Sequence, residues 1–457
     1  MEELIENSPA VIDTNEGNKE LLTTTPPLNV IFLGHVDAGK STLSGRILLD
    51  TGMIDERVIE KFKLEAKENN RESWYIAYIM DCSEDEKERG KTIEVGRAHF
   101  ETQKKRYTIL DAPGHKAYVP NMIAATTQAD VGILVISARK GEFEAGLDRG
   151  GQTLEHTILA KTLGVDQLIV VVNKMADPTV DRDKVRYDEI VTKVSNTLKG
   201  IGWNLKSQVQ FIPIDALTGG NIKTRNLECP WYTGPSLIEA LDEIKFTVTH
   251  DSSAPLRLPI IDRYRDKGCT VALGKVLSGQ IKIGQKVVVM PNRAVCEVVA
   301  LKSHEINIHG GVVEAGENVE LYLKGDDENI AAGHVVCDPE HLLEPVQEFI
   351  GQIHILDSSE HVDVICSGFT TNAHFHTVME TIQITKILNK LDKKTGKPLP
   401  QVPKFIQNKD TAEAVFRLER PVCVEKFETL NSMGRFVLRS DRTIGVGRVK
   451  KVKPLNK

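Results

Sequence analysis

A glycine-containing loop between a strand and a helix is the feature that most limits how this chain can fold. The loop runs Gly34-His35-Val36-Asp37-Ala38-Gly39-Lys40-Ser41, after the apolar stretch 30–33 and before the helix-like stretch 42–49. In such a loop backbone N–H groups point inward and hold phosphates, and the helix N-terminus adds its positive dipole end. Lys40 would place a point charge on the phosphates, and Ser41 would offer a hydroxyl to Mg²⁺. The pattern predicts a phosphate-binding P-loop; a loop whose glycines only form a tight turn is the alternative.

Two further motifs follow at positions that suit the same site. Asp111-Ala112-Pro113-Gly114-His115 comes directly after an apolar strand-like stretch. Asp111 can hold Mg²⁺ through a water, and Gly114 can offer its N–H to a phosphate because no side chain blocks the approach. Thr92, in the run Arg89-Gly90-Lys91-Thr92, can place its hydroxyl on the metal and respond to the nucleotide state. A charged surface loop is the alternative for that run.

A base-recognition motif is present in altered form. Guanine-specific proteins carry N-K-x-D after a strand, and here the run is Asn173-Lys174-Met175-Ala176-Asp177. The methyl group of Ala176 cannot accept the hydrogen bonds of guanine, which is expected to cost about 2–4 kcal/mol in guanine affinity. Asp177, one residue later, is a candidate replacement. Ala216, which follows Asp215, is expected to offer its backbone N–H to guanine O6.

Composition indicates a globular protein outside the secretory pathway. The chain has 457 residues, of which 40% are hydrophobic and 27% are charged. No stretch of 18 apolar residues predicts a membrane span, and the N-terminus lacks the basic region of a signal peptide. The seven cysteines are scattered and form no C-x-x-C pair, so reduced thiols and a cytoplasmic location are expected.

The two ends of the chain carry opposite charge. Residues 1–27 hold six acidic residues and one lysine, without periodicity, and are predicted to form a disordered acidic tail. Residues 432–457 hold eight basic residues and one aspartate. Such a basic segment could meet RNA or an acidic protein surface. A solvated barrel edge explains the same charge equally well.

The pattern of apolar stretches divides the remaining chain into three parts. Residues 28–250 alternate short apolar strands with amphipathic helices, which predicts a mostly parallel α/β sheet. Residues 251–345 and 346–457 are rich in short β-stretches, the former with many turn glycines, and each is predicted to form an antiparallel β-barrel. The tryptophans at 74, 203 and 231 are expected to pack in the interior.

The order of these motifs resembles that of translational GTPases from residue 28 to residue 452. Four stretches, 90–97, 137–144, 289–292 and 433–439, are similar to the eukaryotic class II peptide-chain release factors, the GTPases that assist stop-codon termination. The resemblance implies an α/β P-loop GTPase domain followed by two antiparallel β-barrels, with GTP or GDP and Mg²⁺ as cofactors. The implied partners are a class I release factor and the ribosome, through rRNA and the stalk and sarcin–ricin region, and neither a membrane nor DNA.

Site residues follow from matching the motifs position by position. His115 would position the attacking water, with Thr92 and Val36 beside it, and Ser41, Thr92 and Asp111 would hold the metal. The second barrel would dock the class I factor through Gly434, Arg435 and Phe436. The expected nucleotide-binding residues are Asp37, Ala38, Gly39, Lys40, Ser41, Thr42, Gly114, Asn173, Lys174, Asp177, Asp215, Ala216 and Leu217.

Other functions remain open from the sequence. A ribosome-rescue GTPase, an aminoacyl-tRNA carrier and a GTP-dependent sulfate-activating enzyme are built on related scaffolds. A scaffold with impaired nucleotide binding is a further alternative, because Ala176 replaces the guanine-reading aspartate. Asp215 is a second departure, since release factors of this family usually carry serine at that position.

Overall fold

The computed structural model describes most of the chain beyond its N-terminal tail. The described residues are 28–68, 74–80, 92, 95–147, 151–225, 228–245, 251–266, 268–303, 306–307, 311–326, 328–356, 364–392 and 395–454. The predicted acidic tail, residues 1–27, and the run Arg89-Gly90-Lys91 of the predicted switch lie outside them.

A six-stranded sheet forms the centre of the N-terminal part. Its strands are β1 (Leu28–Gly34), β2 (Gly96–Glu101), β3 (Arg106–Asp111), β4 (Val131–Ser137), β5 (Gln167–Asn173) and β6 (Val209–Pro213). They lie in the order β2-β3-β1-β4-β5-β6, and all neighbours are parallel except the β2–β3 pair. Every residue of β1 and β4 is buried, as expected for central strands covered on both faces.

Helices cover both faces of this sheet. They are α1 (Lys40–Asp50), α2 (Glu56–Glu68), α3 (Val119–Thr126), α4 (Glu142–Leu147), α5 (Gln152–Leu163), α6 (Lys184–Ile201) and α7 (Leu237–Glu243), with short 3₁₀ helices at Ala77–Ile79 and Lys116–Tyr118. Phe32 of β1 belongs to the core shared with α1 and α7, and Leu33 to the core shared with α3, α5 and α6. Alternate side chains of one strand therefore build two cores, and we call residues 28–245 the α/β domain.

Two barrels follow, which confirms the predicted fold class. The first barrel contains β7 (Arg257–Asp266), β8 (Cys269–Lys275), β9 (Gln280–Lys282), β10 (Lys286–Met290), β11 (Ala294–Ser303), β12 (Ile306–Asn307), β13 (Val312–Glu314), β14 (Asn318–Gly325) and β15 (Val335–Cys337). The second barrel contains β16 (Val346–Ile355), β17 (Ile365–Cys366), β18 (Thr370–Phe375), β19 (Val378–Leu391), β20 (Phe405–Ile406), β21 (Thr411–Val422), β22 (Arg435–Arg439) and β23 (Thr443–Pro454).

Each barrel closes through six antiparallel strands. The ring of the first barrel is β10-β15-β7-β8-β14-β11, closed by pairing of β10 with β11. The ring of the second barrel is β16-β21-β19-β18-β22-β23. The domain boundaries proposed from the sequence fall between α7 and β7 and between β15 and β16. Among the described residues, no helix combines the length and apolar character that crossing a membrane requires.

Polar contacts attach both barrels to the α/β domain. Lys275 of the first barrel donates to Asp130 (2.8 Å), whose other oxygen accepts from the side chain of Asn29 (2.8 Å). On the second barrel, Arg439 and Thr443 both donate to the carboxylate of Glu155 in α5, at 2.5 and 2.7 Å. These groups are largely buried, so a change in domain arrangement must break charged contacts as well as apolar ones.

The basic C-terminal segment belongs to the second barrel. Its residues form β22 and β23, and several of its charges have partners inside the chain. Lys450 lies 3.1 Å from Glu413, and Lys453 lies 3.2 Å from Glu348. The observed pairing favours a structural role for this charge over a separate nucleic-acid segment.

The aromatic core of the second barrel generates a stability prediction. Phe436 is fully buried, and its ring centroid lies 5.4, 5.7 and 5.2 Å from those of Phe349, Phe375 and Phe416. Phe436→Ala should reduce the free energy of unfolding by about 3–5 kcal/mol, because it leaves a cavity among these rings. Urea unfolding measures the effect. The control is Phe405→Ala, at a ring that is 39% exposed, and equal losses in both variants would contradict the prediction.

Candidate nucleotide site

Close backbone approach makes glycine necessary at both ends of the P-loop. Gly34 has φ of +138°, and a Cβ there would lie 2.3 Å from the carbonyl oxygen of Val135. Gly39, which precedes α1, has φ of +92°, and its Cβ would lie 2.4 Å from Nδ2 of Asn173. A side chain at either position would push the loop away from its supports. The sequence therefore fixes a loop that wraps tightly against β4 and the end of β5.

Helix α5 supports the same loop. The ring Nδ1 of His156, which is fully buried, accepts a hydrogen bond from the N–H of Gly34 at 3.3 Å. The side-chain oxygen of Gln152 accepts from the N–H of Val36 at 3.4 Å. Glu155, between these two residues, holds Arg439 of the second barrel. One helix thus contacts both the P-loop and the second barrel.

Lys40 extends its ammonium group into the curve of the loop. Nζ donates to the carbonyl oxygens of Gly34 (3.2 Å) and His35 (2.9 Å). Burial lowers the pKa of Lys40 to about 8, although Asp111 and Asp37 act in the opposite direction. A Cβ on Gly114 would lie 2.4 Å from Nζ. The structure therefore brings the first and second predicted motifs into contact, with glycine leaving room for the lysine.

Oxygen groups from three elements surround the start of α1. The hydroxyls of Ser41 and Thr92 lie 3.1 Å apart, although 51 residues separate them in sequence. Asp111 stands at the end of β3 with no exposed surface and interacts electrostatically with Lys40. Hydroxyl and carboxylate oxygens are the ligands that Mg²⁺ prefers, so this donor set fits the predicted metal.

Asn173 connects the P-loop with the two loops on the opposite side of the cleft. Its Nδ2 donates to the carbonyl oxygen of Ala38 at 2.9 Å. Its Oδ1 accepts from the N–H groups of Lys174 (2.8 Å) and Ala216 (2.9 Å). The N–H of Ala216 was expected to point at guanine O6, and in this structure it is used by Asn173 instead.

Charged side chains line the edge of the cleft. Arg139 directs Nε and Nη2 at one oxygen of Asp177, both at 2.5 Å. Lys174 donates to Glu142 at 2.7 Å, and Ser137 donates to the same carboxylate at 2.6 Å. Sequence reasoning missed Arg139 and Glu142 as cleft residues. Their position could have indicated this, because both residues follow β4. The carboxyl ends of parallel strands meet at one edge of the sheet, where the cleft lies.

The cleft has a volume of about 570 Å³ and gathers most of the predicted site. The predicted residues that line it are Val36, Asp37, Gly39, Lys40, Ser41, Thr42, Thr92, Gly114, His115, Asn173, Lys174, Asp177, Asp215, Ala216 and Leu217. Ala38 and Asp111 lie buried just behind this surface. Trp74 and Thr218, which the prediction left out of the site, also line the cleft, so Trp74 is more than the interior packing residue expected.

His115 stands at the open side of the cleft. It precedes the 3₁₀ helix Lys116–Tyr118, and its Nδ1 accepts a hydrogen bond from the N–H of Ala117 at 3.3 Å. The ring is partly exposed and lies 5.9 Å from the ring of Tyr118, measured between centroids. Val36 lines the same cleft, so the two residues predicted to flank the attacking water share one surface.

Comparison with known proteins finds similar proteins over most of the chain. Residues 25–247 match the model of the Elongation factor Tu GTP binding domain, and residues 348–450 match the GTP-eEF1A C-terminal domain-like model. The eukaryotic peptide chain release factor GTP-binding subunit of Kluyveromyces lactis is 45% identical over 438 residues, which cover 95% of this chain and 62% of that protein. Over nearly its whole length the chain is therefore similar to eukaryotic peptide chain release factor GTP-binding subunits. It spans 57–66% of the length of the curated relatives it matches.

Solved structures extend the comparison. A crystal structure of sup35 complexed with GDP is 38% identical, with 96% of this chain and 97% of that chain covered and a TM-score of 0.43. The GTPase-like domain of Ski7 from S. cerevisiae, bound to GTP, is 20% identical, with 95% and 99% covered and a TM-score of 0.76. The Ski7 likeness concerns the fold, and it extends through the α/β domain and both barrels.

The residues predicted to dock the release-factor partner lie mostly inside the molecule. Phe436 is fully buried in the core of the second barrel, so a direct partner contact by its ring is wrong. Arg435 donates to the carbonyl oxygen of Thr162 in α5 at 2.6 Å. A Cβ on Gly434 would lie 2.4 Å from the backbone of Phe427, which explains the glycine by packing. In this arrangement the three residues hold the second barrel together and against the α/β domain.

The low pKa of Lys40 generates a prediction for ligand binding. Phosphate groups beside the ammonium should raise its pKa again, because opposite charge favours the protonated form. Binding of a nucleoside diphosphate at about pH 8.5 should therefore take up a proton, and affinity should fall as the pH rises above about 8. Calorimetry in two buffers of different ionisation enthalpy measures this uptake.

The same measurement near neutral pH is the control. At about pH 7 most Lys40 side chains already carry the proton, so the uptake should be much smaller. Equal uptake at both pH values, or none at the higher one, would contradict a lowered pKa in the free protein.

Proposed function

We propose that this chain binds GTP and hydrolyses it on the ribosome during translation termination, in a complex with a class I release factor. The observation that carries the proposal is the contact between Lys40, Gly114 and the P-loop at the cleft that Ser41 and Thr92 also line. A phosphate-binding loop, a metal-ligand set and a candidate water-positioning histidine thus share one surface. Similarity to release factor GTP-binding subunits over 93–96% of the chain supports the termination context.

The phosphate end of the nucleotide would lie over the P-loop and α1. The N–H groups at the start of α1 and the helix dipole favour negative charge there, and Lys40 adds a full positive charge. Gly114 would approach the terminal phosphate, because nothing on its Cα prevents close contact. The carbonyl contacts that Lys40 makes now would be exchanged for phosphate oxygens, which are stronger acceptors.

A magnesium ion would be held by Ser41, Thr92 and Asp111 together with phosphate oxygens. Among the described residues, no group of three or more histidine, cysteine or carboxylate side chains is positioned to hold a metal. The proposed set instead combines two hydroxyls with one carboxylate, as nucleotide sites with few protein carboxylates do. When bound, the cation would neutralise charge that develops on the phosphates.

The proposed reaction is GTP and water to GDP and inorganic phosphate. His115 would orient the water in line with the terminal phosphate and stabilise charge in the transition state, as positioning groups do in phosphoryl transfer. In the structure its Nδ1 caps the next helix, so Nε2 is the nitrogen available for a water. Val36 would limit how His115 reaches the phosphate.

The second barrel is proposed to carry the surface for the class I factor. Phe436 would support that surface from inside the barrel, since its ring fills the core. The ribosome would contact the α/β domain, where Thr92 would complete the metal site. Residues 81–91, 93 and 94, on either side of Thr92, lie outside the described part of the chain.

Replacing His115 separates hydrolysis from binding. His115→Ala should reduce ribosome-stimulated GTP hydrolysis by about 10²-fold or more, because positioned groups contribute rate enhancements of this order. GTP binding and class I factor binding should stay within about twofold, since the side chain lies at the edge of the cleft. Single-turnover phosphate release on ribosomes and equilibrium binding measure the two effects.

Tyr118→Phe provides the matched control, because it keeps the aromatic neighbour of His115 and removes only a hydroxyl. This variant should hydrolyse GTP at the parent rate. Unchanged turnover in His115→Ala would reject the water-positioning role, and loss of both binding and turnover would assign His115 to nucleotide binding instead.

A further inference from the structure

Two residues beside the predicted base site, Ala176 and Asp215, lie next to each other in the fold. Ala176 presents a methyl group at the position where the sequence motif predicts a carboxylate, and Asp215 presents a carboxylate close to it. The two residues are 39 positions apart, yet Oδ2 of Asp215 accepts a hydrogen bond from the N–H of Ala176 at 3.2 Å. Both line the cleft. The carboxylate that position 176 lacks is therefore supplied by Asp215, its neighbour in space.

We infer that Asp215 selects the guanine base in this chain, in place of the carboxylate that position 176 lacks. The inference rests on the proposed function, because it names the recognition element of the same nucleotide site. It makes Asp215 a specificity-determining residue rather than a tolerated change. A carboxylate can select guanine only if its oxygens are still able to accept hydrogen bonds.

Asp177 is excluded as the replacement because its acceptors are occupied. One oxygen receives Nε and Nη2 of Arg139, and the other receives the N–H (3.0 Å) and hydroxyl (2.6 Å) of Thr179. A carboxylate offers about four lone-pair sites, and four donors already use them. These donors also lower the pKa of Asp177 to about 2, so the group is held as a charged partner of Arg139.

Asp215 retains accepting capacity on the oxygen that faces Ala176. Its Oδ1 receives both the N–H and the hydroxyl of Thr218, each at 2.9 Å. For Oδ2, the structure gives one hydrogen bond, from the N–H of Ala176, so a second lone pair can accept from a ligand. Asp215 is only 8% exposed, and such burial strengthens any charge-assisted hydrogen bond that its carboxylate makes.

Oδ2 of Asp215 can distinguish guanine from other bases because the bases differ in their hydrogen-bonding groups. Guanine presents two neighbouring donors, N1–H and the 2-amino group, whereas adenine presents an unprotonated N1 in the same region. A fixed carboxylate therefore attracts guanine and repels adenine, which gives selectivity from both a gained bond and an unfavourable contact. Xanthine carries an oxygen in place of the 2-amino group, so a carboxylate should also disfavour it.

Nucleotide preference provides the test. Equilibrium binding of GDP, xanthosine diphosphate and ADP is measured on the full chain with Mg²⁺. Asp215→Asn keeps one oxygen and turns the other atom into a donor, so it can accept from Thr218 or from the N–H of Ala176 but not from both. GDP binding should weaken about 10-fold or more, and xanthosine diphosphate binding should strengthen, because the amide donates to the 2-oxo group. A reversed preference cannot result from partial unfolding.

A second variant moves the carboxylate back to position 176. Asp215→Ser alone should weaken GDP binding, and Ala176→Asp combined with Asp215→Ser should return it to within about threefold of the parent. Asp181→Asn, at an exposed aspartate that does not line the cleft, is the control and should leave all affinities unchanged.

The outcomes separate the inference from the proposed function. If the parent prefers GDP but Asp215→Asn and Asp215→Ser keep its affinities, the inference is overturned and the guanine site stands. If the parent binds no nucleotide, or binds GDP and ADP equally, the proposed function itself fails. Loss of GDP in Asp215→Ser with recovery in the double variant supports the inference even where Asp215→Asn does not fold.

Discussion

The side-chain amide of Asn173 is the interaction on which the cleft depends. It donates to Ala38 of the P-loop and accepts from Lys174 and Ala216, so three loops from distant parts of the chain take their relative positions from one group. Gly39 makes this possible, because a Cβ there would collide with the same amide. A buried amide with three hydrogen bonds fixes geometry more strongly than apolar contact, since each hydrogen bond has a direction.

Much of the architecture could be predicted because its signals are local. Strand, glycine loop and helix are consecutive around residues 28–50, and the predicted loop residues Lys40 and Ser41 lie where the chemistry requires. Strands β2 and β23 are harder to predict from local sequence, for a physical reason. β2 pairs antiparallel at the sheet edge with a half-exposed alternating pattern, and β23 carries a charged face on the outside of a closed barrel.

The sequence predicts most residues of the site, but it does not predict which of them form hydrogen bonds with each other. Motif spacing identifies which residues follow the strands, but hydrogen-bond partners depend on side chains from other loops. Asp177 was a reasonable candidate for base recognition until Arg139, 38 residues earlier, was seen to occupy it. Phe436 shows the same limit at the second barrel, because the alternation of a short strand does not reveal which face is inside. Such facts require the tertiary structure.

His156, which supports the P-loop, determines how the stability of that loop depends on pH. Because Nδ1 of His156 accepts from Gly34, the ring is neutral with its hydrogen on Nε2. Burial, with the charge of Lys40, holds the pKa of His156 well below its ordinary value. Protonation is therefore favoured only in the unfolded chain, below about pH 6.5, so acidification below that value lowers stability. Near neutral pH, the hydrogen bond between His156 and Gly34 is therefore insensitive to pH, although histidine is the side chain that most often acts as a pH sensor.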